Sequence, residues 1–247
     1  MNLNFMSKAD KLNDAVAAGT LLPAVPDFDA PEPASSPAAG SRLDQIRAAG
    51  LELLFRHGYS GMTMREIAAT LKIKAASLYY HFPSKQHILF DLMHATVSEL
   101  LQGLRDIVAS VREPEAQLEA AIRWHVLFHT HKRKEAFVSH SELRFLEPDN
   151  LREILKLRRE YERLFDAILK RGYRKGVFQI EELSVIRNCI LTMCTATAGW
   201  FSPRGPLSAE ELAGQIGRFV QSALVKGGPV TPLEVHNLPE IGPTAVR

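Results

Sequence analysis

Residues 63–85, TMREIAATLKIKAASLYYHFPSK, decide the fold. Thr63, Met64, Arg65 and Glu66 have the form of a capping box, in which the threonine side chain accepts from the third backbone N–H and the glutamate reaches back. Ile67 and Ala68 then supply the inner side of a short helix. A turn follows, and a second short helix is predicted from about Lys74 to Tyr80, stopped by Pro83. Met64, Ile67, Leu71, Ile73 and Leu78 make an apolar inner seam, leaving Arg65, Lys72, Lys74, Ser77 and Tyr79 outward. Two short helices across a tight turn, the second polar on its outer face, are what a helix-turn-helix presents to the major groove of DNA. Ala75 and Ala76 are small enough to let the second helix sit deep, against thymine methyl groups. In the cluster Tyr79, Tyr80, His81 and Phe82, the phenylalanine and one tyrosine are expected inward. The other tyrosine and His81 are expected to reach phosphates. Ser84 is expected to cap the next helix, with Lys85 beside it, where N–H groups and the helix dipole favour a phosphate.

Helical signals continue on both sides. Leu43, Ile46, Ala49, Leu53 and Leu54 recur at helical spacing, and His57 with Gly58 closes that element. Longer helices are predicted from Ser84 to about Ser110, Pro114 to Lys132, Asn150 to Arg171, Glu181 to Gly199 and Ser208 to Val225. The last opens on a second capping box, Ser208 with Glu211. No useful alternating pattern and no internal repeat occurs, so the fold is expected to be all-α: a three-helix head at 41–86 and a helical bundle at 87–226. Residues 1–40 are expected to be a flexible arm, because their Pro-, Ala- and Ser-rich second half lacks an apolar period, although 10–18 has the composition for a helical turn or two. Residues 227–247, with Pro229, Pro232, Pro239 and Pro243, are expected to be a loose tail.

Composition sets the class. Of 247 residues, 46% are apolar and 23% charged, ordinary for a soluble globular chain. No run of eighteen apolar residues and no leader pattern occurs, so neither a membrane span nor a signal peptide is expected. Cys189 and Cys194 fall on different helix faces inside an apolar segment, where two buried thiols in a reducing cytoplasm are expected. The net charge is only +2, but between Ser41 and Phe90 seven basic residues face three acidic ones, a local excess that suits a polyanion.

Read together, the strings AGLELLFRHGY (49–59), TMREIA (63–68) and KAASLYYHFPSK (74–85) resemble the N-terminal domain of the tetracycline-repressor (TetR) family, with the family's spacings intact. The resemblance implies a homodimer whose recognition helices enter successive major grooves of a palindromic operator in double-stranded DNA. It implies DNA contacts from Thr63, Arg65, Lys74, Ser77, Tyr79, Tyr80, His81 and Lys85, to which the groove argument adds Ala75. Many members carry Lys-Gly or Arg-Gly where this chain has Ala75 and Ala76, a departure expected to alter base preference.

The second half resembles the family's effector-binding and dimerisation region. Helices around 190–200 and 212–225 look like the pair that forms an intersubunit four-helix bundle, with Ala196, Ala198, Gly199, Ala213, Gly214 and Gly217 allowing close approach. The stretch GWFSPRGPLS (199–208) is similar to a subgroup that controls lipid, sterol or acyl-chain catabolism and responds to acyl-CoA thioesters. A smaller apolar or aromatic effector is the alternative. Candidate lining residues are Trp124, Phe128, Phe137, Leu143, Phe145, Leu164, Phe165, Met193 and Trp200. His125 and His129, four apart with His131, His140 and Glu142 nearby, share a face as metal ligands can, but no zinc spacing is present and no metal or cofactor is expected. The run His131, Lys132, Arg133 and Lys134 reads as a solvated helix end, or as a seat for a CoA-like phosphate. No nucleophile elbow, phosphate-cradling glycine loop or paired acid–base constellation points to an enzyme. A helical adaptor that binds protein through the same head would need neither the basic excess nor the polar outer face.

Overall fold

The computed structural model describes residues 41–225; the arm expected over 1–40 and the tail expected over 227–247 lie outside the described residues. The chain forms α1 (Arg42–Gly61), α2 (Met64–Thr70), α3 (Ala75–His81), α4 (Lys85–Ser110), α5 (Pro114–His131) and α6 (Arg133–Ser141). A 3-10 turn (Leu143–Phe145) leads to α7 (Pro148–Arg174), α8 (Leu183–Trp200) and α9 (Ala209–Leu224). Among the described residues there is no strand, and the all-α architecture read from the periodicity is the one observed.

Local chemistry sets the helix ends. Ser41 with Asp44, Thr63 with Glu66 and Ser208 with Glu211 form reciprocal capping boxes, each cap contributing about 1 kcal/mol. Pro114 and Pro148 stand in the first turns of α5 and α7, where a missing N–H costs nothing. Gly58 adopts φ +64° inside α1, so the helix kinks there and runs on to Gly61 instead of ending. Ser84 precedes α4 without accepting a backbone N–H; its hydroxyl meets His87 Nδ1 at 2.8 Å, contrary to the expected cap.

The tight turn after α2 is a Schellman motif. Lys72 N–H donates to Ala69 O and Ile73 N–H to Ala68 O, with Lys72 itself left-handed at φ +53°. Glycine is the usual occupant of that position, and a lysine there bears a backbone cost of about 1–2 kcal/mol.

Two apolar cores organise the chain. One joins α1–α3 to the first half of α4, the α6 segment and the start of α7, through fully buried Ile46, Leu54, Ile67, Leu78, Ile88, Leu89, Met93 and Ile154. The other lies among α4, α5, α7, α8 and α9, around Leu104, Leu118, Ile122, Phe165, Ile168 and Leu169. The head therefore does not stand apart from the bundle: its core extends past residue 86 into α4 and is closed by α6. The α6 helix is absent from the sequence reading, which leaves 133–149 without an element.

Candidate nucleic-acid interface

The α2–α3 pair presents a face made almost wholly of unpaired polar groups. In α3 only Leu78 is buried, pinning the helix to the head, while Ala75, Ala76, Ser77, Tyr79 and Tyr80 are exposed. The side chains of Arg65, Lys72, Lys74 and Ser77 and both tyrosine hydroxyls make no hydrogen bond or ion pair among the described residues. Tyr80 is 87% exposed and Tyr79 50%, so neither tyrosine packs inward; Phe82, at 5%, alone does. The expectation of one inward tyrosine is thus corrected. Leu78 and Phe82, four apart, already fill the inner stripe of this short helix.

Beside this face an open cleft is lined by Met62, Thr63, Met64, Arg65, Tyr79 and Lys85. Lys85 is fixed rather than solvated: its Nζ donates to Tyr59 O at 2.9 Å and Met62 O at 3.3 Å, and lies 4.3 Å from the Tyr59 ring centroid. Two of its three protons are thereby used, leaving one donor and a whole charge for the cleft. Thr63 behaves differently. Its N–H and hydroxyl both donate to Glu66 Oε2 at 2.8 Å, which holds that carboxyl below its usual range, so a phosphate at Thr63 has to displace Glu66. His81 is half-buried at the end of α3, its ring edge-on to Tyr80 at 5.3 Å.

The bundle contains a polar cluster. The His125 and His129 rings stack at 4.2 Å, and His140 lies 6.2 Å from His129. His125 spends both nitrogens, on Tyr161 Oη and Thr195 Oγ1, each at 2.9 Å. His129 and His140 donate from Nδ1 to the carbonyl four residues earlier, at 2.8 Å. Burial holds all three imidazoles neutral: His125 lies well below the usual value, His129 falls to about 4 and His140 to about 3, with Arg158 adding repulsion at the last two. Among the described residues no three His, Cys, Asp or Glu side chains are placed to hold a metal ion. Glu142 turns toward the head, accepting from Tyr59 N–H at 2.8 Å.

Comparison with known proteins decides the assignment. Residues 46–92 match the family model for bacterial regulatory proteins of the tetR family, and 111–224 match a tetracyclin repressor-like C-terminal domain. The chain belongs to the TetR family. Among curated TetR relatives, the transcriptional repressor KstR2 of Mycobacterium tuberculosis is 22% identical over 76% of this chain and 95% of its own length. KstR2 of Mycolicibacterium smegmatis is 24% identical, over 81% and 95%. Two TetR-family structures share the fold: the ketosteroid transcriptional regulator KstR2 of M. tuberculosis (TM-score 0.71, 22% identity, 78% of this chain and 99% of that one) and AibR in complex with isovaleryl coenzyme A and operator DNA (TM-score 0.66, 24% identity, 75% and 98%). TetR-family proteins are DNA-binding transcriptional regulators rather than enzymes.

In this TetR-family chain the expected effector-lining residues do not converge on one place. Phe165 is wholly buried in the second core, with Met193 partly buried against it. Phe128 is buried 5.7 Å from His129. Trp124 bonds Leu100 O at 2.9 Å and lies over Gly103, where an added Cβ would meet the indole at 2.2 Å, so it is committed to α4–α5 packing. Phe137 and Phe145 belong with the head: Phe137 meets Phe55 edge-on and Phe145 stacks on Tyr59, both at 5.3 Å. Leu143 is buried in the head-side core, and Leu164 is partly buried against the other. Trp200 is exposed at the end of α8.

Two further readings are corrected. In the run 131–134, Lys132 pairs with Glu99, Arg133 is buried with Nε on Ala198 O, and Lys134 pairs with Glu52 at 2.9 Å; only His131 is fully exposed. Cys189 is exposed and only Cys194 is buried. Among the described residues no helix is long and apolar enough to cross a membrane.

Proposed function

We propose that this chain is a ligand-responsive cytoplasmic repressor that binds a palindromic operator as a homodimer and is released by a small apolar effector such as an acyl-CoA thioester. The observation that carries the DNA half is the unpaired face of α3, with Arg65, Tyr79 and the anchored Lys85 around one cleft and Lys74 exposed at the start of the helix. In this reading Ala75, Ser77, Tyr79 and Tyr80 meet bases and sugars, Arg65, Lys74, His81 and Lys85 meet phosphates, and Thr63 joins them once Glu66 moves. Residues 41–86 carry the DNA contacts, and 87–226 carry dimerisation and the effector. Dimerisation is assigned to α8 and α9, which leave Val185, Trp200 and Phe219 exposed. Ala213 and Gly217 are buried on α9, which packs closely on α5 of its own subunit. The effector is assigned to the region where Phe128 and Phe165 approach the polar cluster, with Met193 partly buried against the same core as Phe165. A shift of α4, shared by both cores, would change the 34–36 Å spacing that two half-sites one turn apart require.

The acyl-CoA class is supported by likeness to AibR, whose structure holds isovaleryl coenzyme A. The test titrates acyl-CoA thioesters of two to twelve carbons into the protein bound to a duplex enriched from a random pool, followed by mobility shift. Release by one or more chain lengths at micromolar concentration is expected. Unchanged binding with every thioester would remove this effector class and leave the DNA-binding reading standing.

A further inference from the structure

Two cations line the cleft beside α3, and they are held differently. The Arg65 side chain makes no hydrogen bond or ion pair among the described residues. Lys85 Nζ, by contrast, meets Tyr59 O, Met62 O and the Tyr59 ring. Tyr59 supplies two of these contacts, one from its backbone and one from its ring. It is held in turn from outside the head. Its N–H donates to the buried Glu142 carboxylate at 2.8 Å, and its ring stacks on Phe145 with the planes 29° apart. Phe145 is also fixed. The Arg144 guanidinium lies 4.9 Å from its ring centroid, and its carbonyl accepts from the side-chain amide of Gln86. Gln86 is buried, adjoins Lys85 in α4, and accepts from Glu147 N–H at 3.4 Å. The 3-10 turn, Tyr59 and the start of α4 thus close one circuit around Lys85. A lysine that only covered apolar surface would extend its ammonium into water. Lys85 is instead turned onto two carbonyls and a ring at the edge of the cleft, with one proton spare.

We propose that Tyr59, backed by Phe145, is a positioning residue for DNA binding: its ring and carbonyl fix Lys85 Nζ where the spare proton meets a backbone phosphate. The proposal rests on the reading that Lys85 touches a phosphate. A free lysine side chain gives up many rotamers when it binds, whereas one already held gives up few, so less affinity is lost to ordering. The ring suits this task. Its electron-rich face attracts the ammonium without consuming a proton. A carboxylate in the same place would hold the cation equally well, but it would cancel the charge that the phosphate needs. Phe145 then serves the head, and a change at the 3-10 turn is felt at the ammonium.

The test measures binding of the full chain to the duplex enriched from a random pool, by fluorescence anisotropy at several salt concentrations, with thermal unfolding of each variant alongside. Lys85→Gln is expected to weaken binding and to lower the slope of log Kd against log salt by about 1, as loss of one phosphate contact requires. Tyr59→Leu keeps the carbonyl and most of the bulk but removes the ring. It is expected to raise Kd about threefold or more and to lower the slope as well. Tyr59→Phe restores the ring and should return both quantities towards the wild-type values. In the Lys85→Gln background, Tyr59→Leu should change Kd by less than about twofold, because the group it positions is gone. Phe145→Leu should follow the same pattern with a smaller loss, and its comparison in the two backgrounds decides the matter if Tyr59→Leu does not fold. An equal factor with and without Lys85, or an unaltered salt slope for Tyr59→Leu, would overturn the positioning role and leave the Lys85 contact standing. Wild-type affinity and slope in Lys85→Gln would remove the phosphate contact, and the positioning role with it, while DNA reading by α3 stands.

Discussion

At the scale of single residues, a tyrosine and a lysine carry the most information. Tyr80 is 87% exposed, and its one ring contact among the described residues is with His81, so its removal costs the fold almost nothing. Tyr80→Ala is expected to change unfolding free energy by less than about 0.5 kcal/mol. The same substitution should raise the operator Kd about fivefold or more, as loss of a groove contact worth about 1–3 kcal/mol requires. Thermal melts and fluorescence anisotropy on one preparation check both. A fall in stability of several kcal/mol would return Tyr80 to the core. The outward tyrosines were only half legible in the sequence. Periodicity marks Leu78 as inward, but it cannot say which aromatic beside it fills the remaining space when Phe82 already does. Lys72 is a second case: its left-handed backbone has no marker in a sequence that places no glycine in the turn.

At the scale of elements, α6 and the 3-10 turn after it connect the two cores. One side holds the head: Phe137 meets Phe55, Phe145 stacks on Tyr59, Lys134 pairs with Glu52, and Glu142 receives the Tyr59 N–H. The other side carries Ser139 and His140 beside Arg158. The contacts to the head are unequal. The Lys134–Glu52 pair is about one-third exposed and is worth under about 1 kcal/mol. Glu142 is buried, and its loss leaves a backbone N–H beside the kink at Gly58 without a partner. Glu142→Ala is therefore expected to lower unfolding free energy by about 1–3 kcal/mol, and Lys134→Ala by less than about 1 kcal/mol. Urea denaturation measures both; equal effects would contradict the latch role of Glu142. This element was hidden from sequence reading for physical reasons. Its polar and charged residues together outnumber its apolar ones, no side chain caps its start, and its buried members include Arg133 and Ser139, which periodicity counts as surface.

At the scale of the whole molecule, the long helices and the helix-turn-helix were legible because their signals are local: capping boxes at Thr63 and Ser208, helix-starting prolines, and apolar spacing along α1 and α4. The region proposed for the effector was not. Its candidate aromatics lie on helices far apart in sequence, and only tertiary packing sends Phe137 and Phe145 to the head while keeping Phe165 in the bundle. The bond from Arg158 to the Ser139 carbonyl was not legible either, because a cation in the strongly amphipathic α7 reads as a solvated residue. The architecture that results is a helix-turn-helix head whose core continues into the bundle through α4 and α6.

The central claim is that this chain reads a two-fold symmetric DNA site through α3. It is tested most directly by enriching random duplex DNA with the wild-type protein, and in parallel with Lys74→Ala and Tyr79→Ala. The account predicts that the wild type recovers a palindrome with half-site centres about one helical turn apart, and that both variants lose the enrichment while remaining folded. Failure of the wild type to enrich any sequence at low salt, where phosphate contacts are strongest, would contradict it.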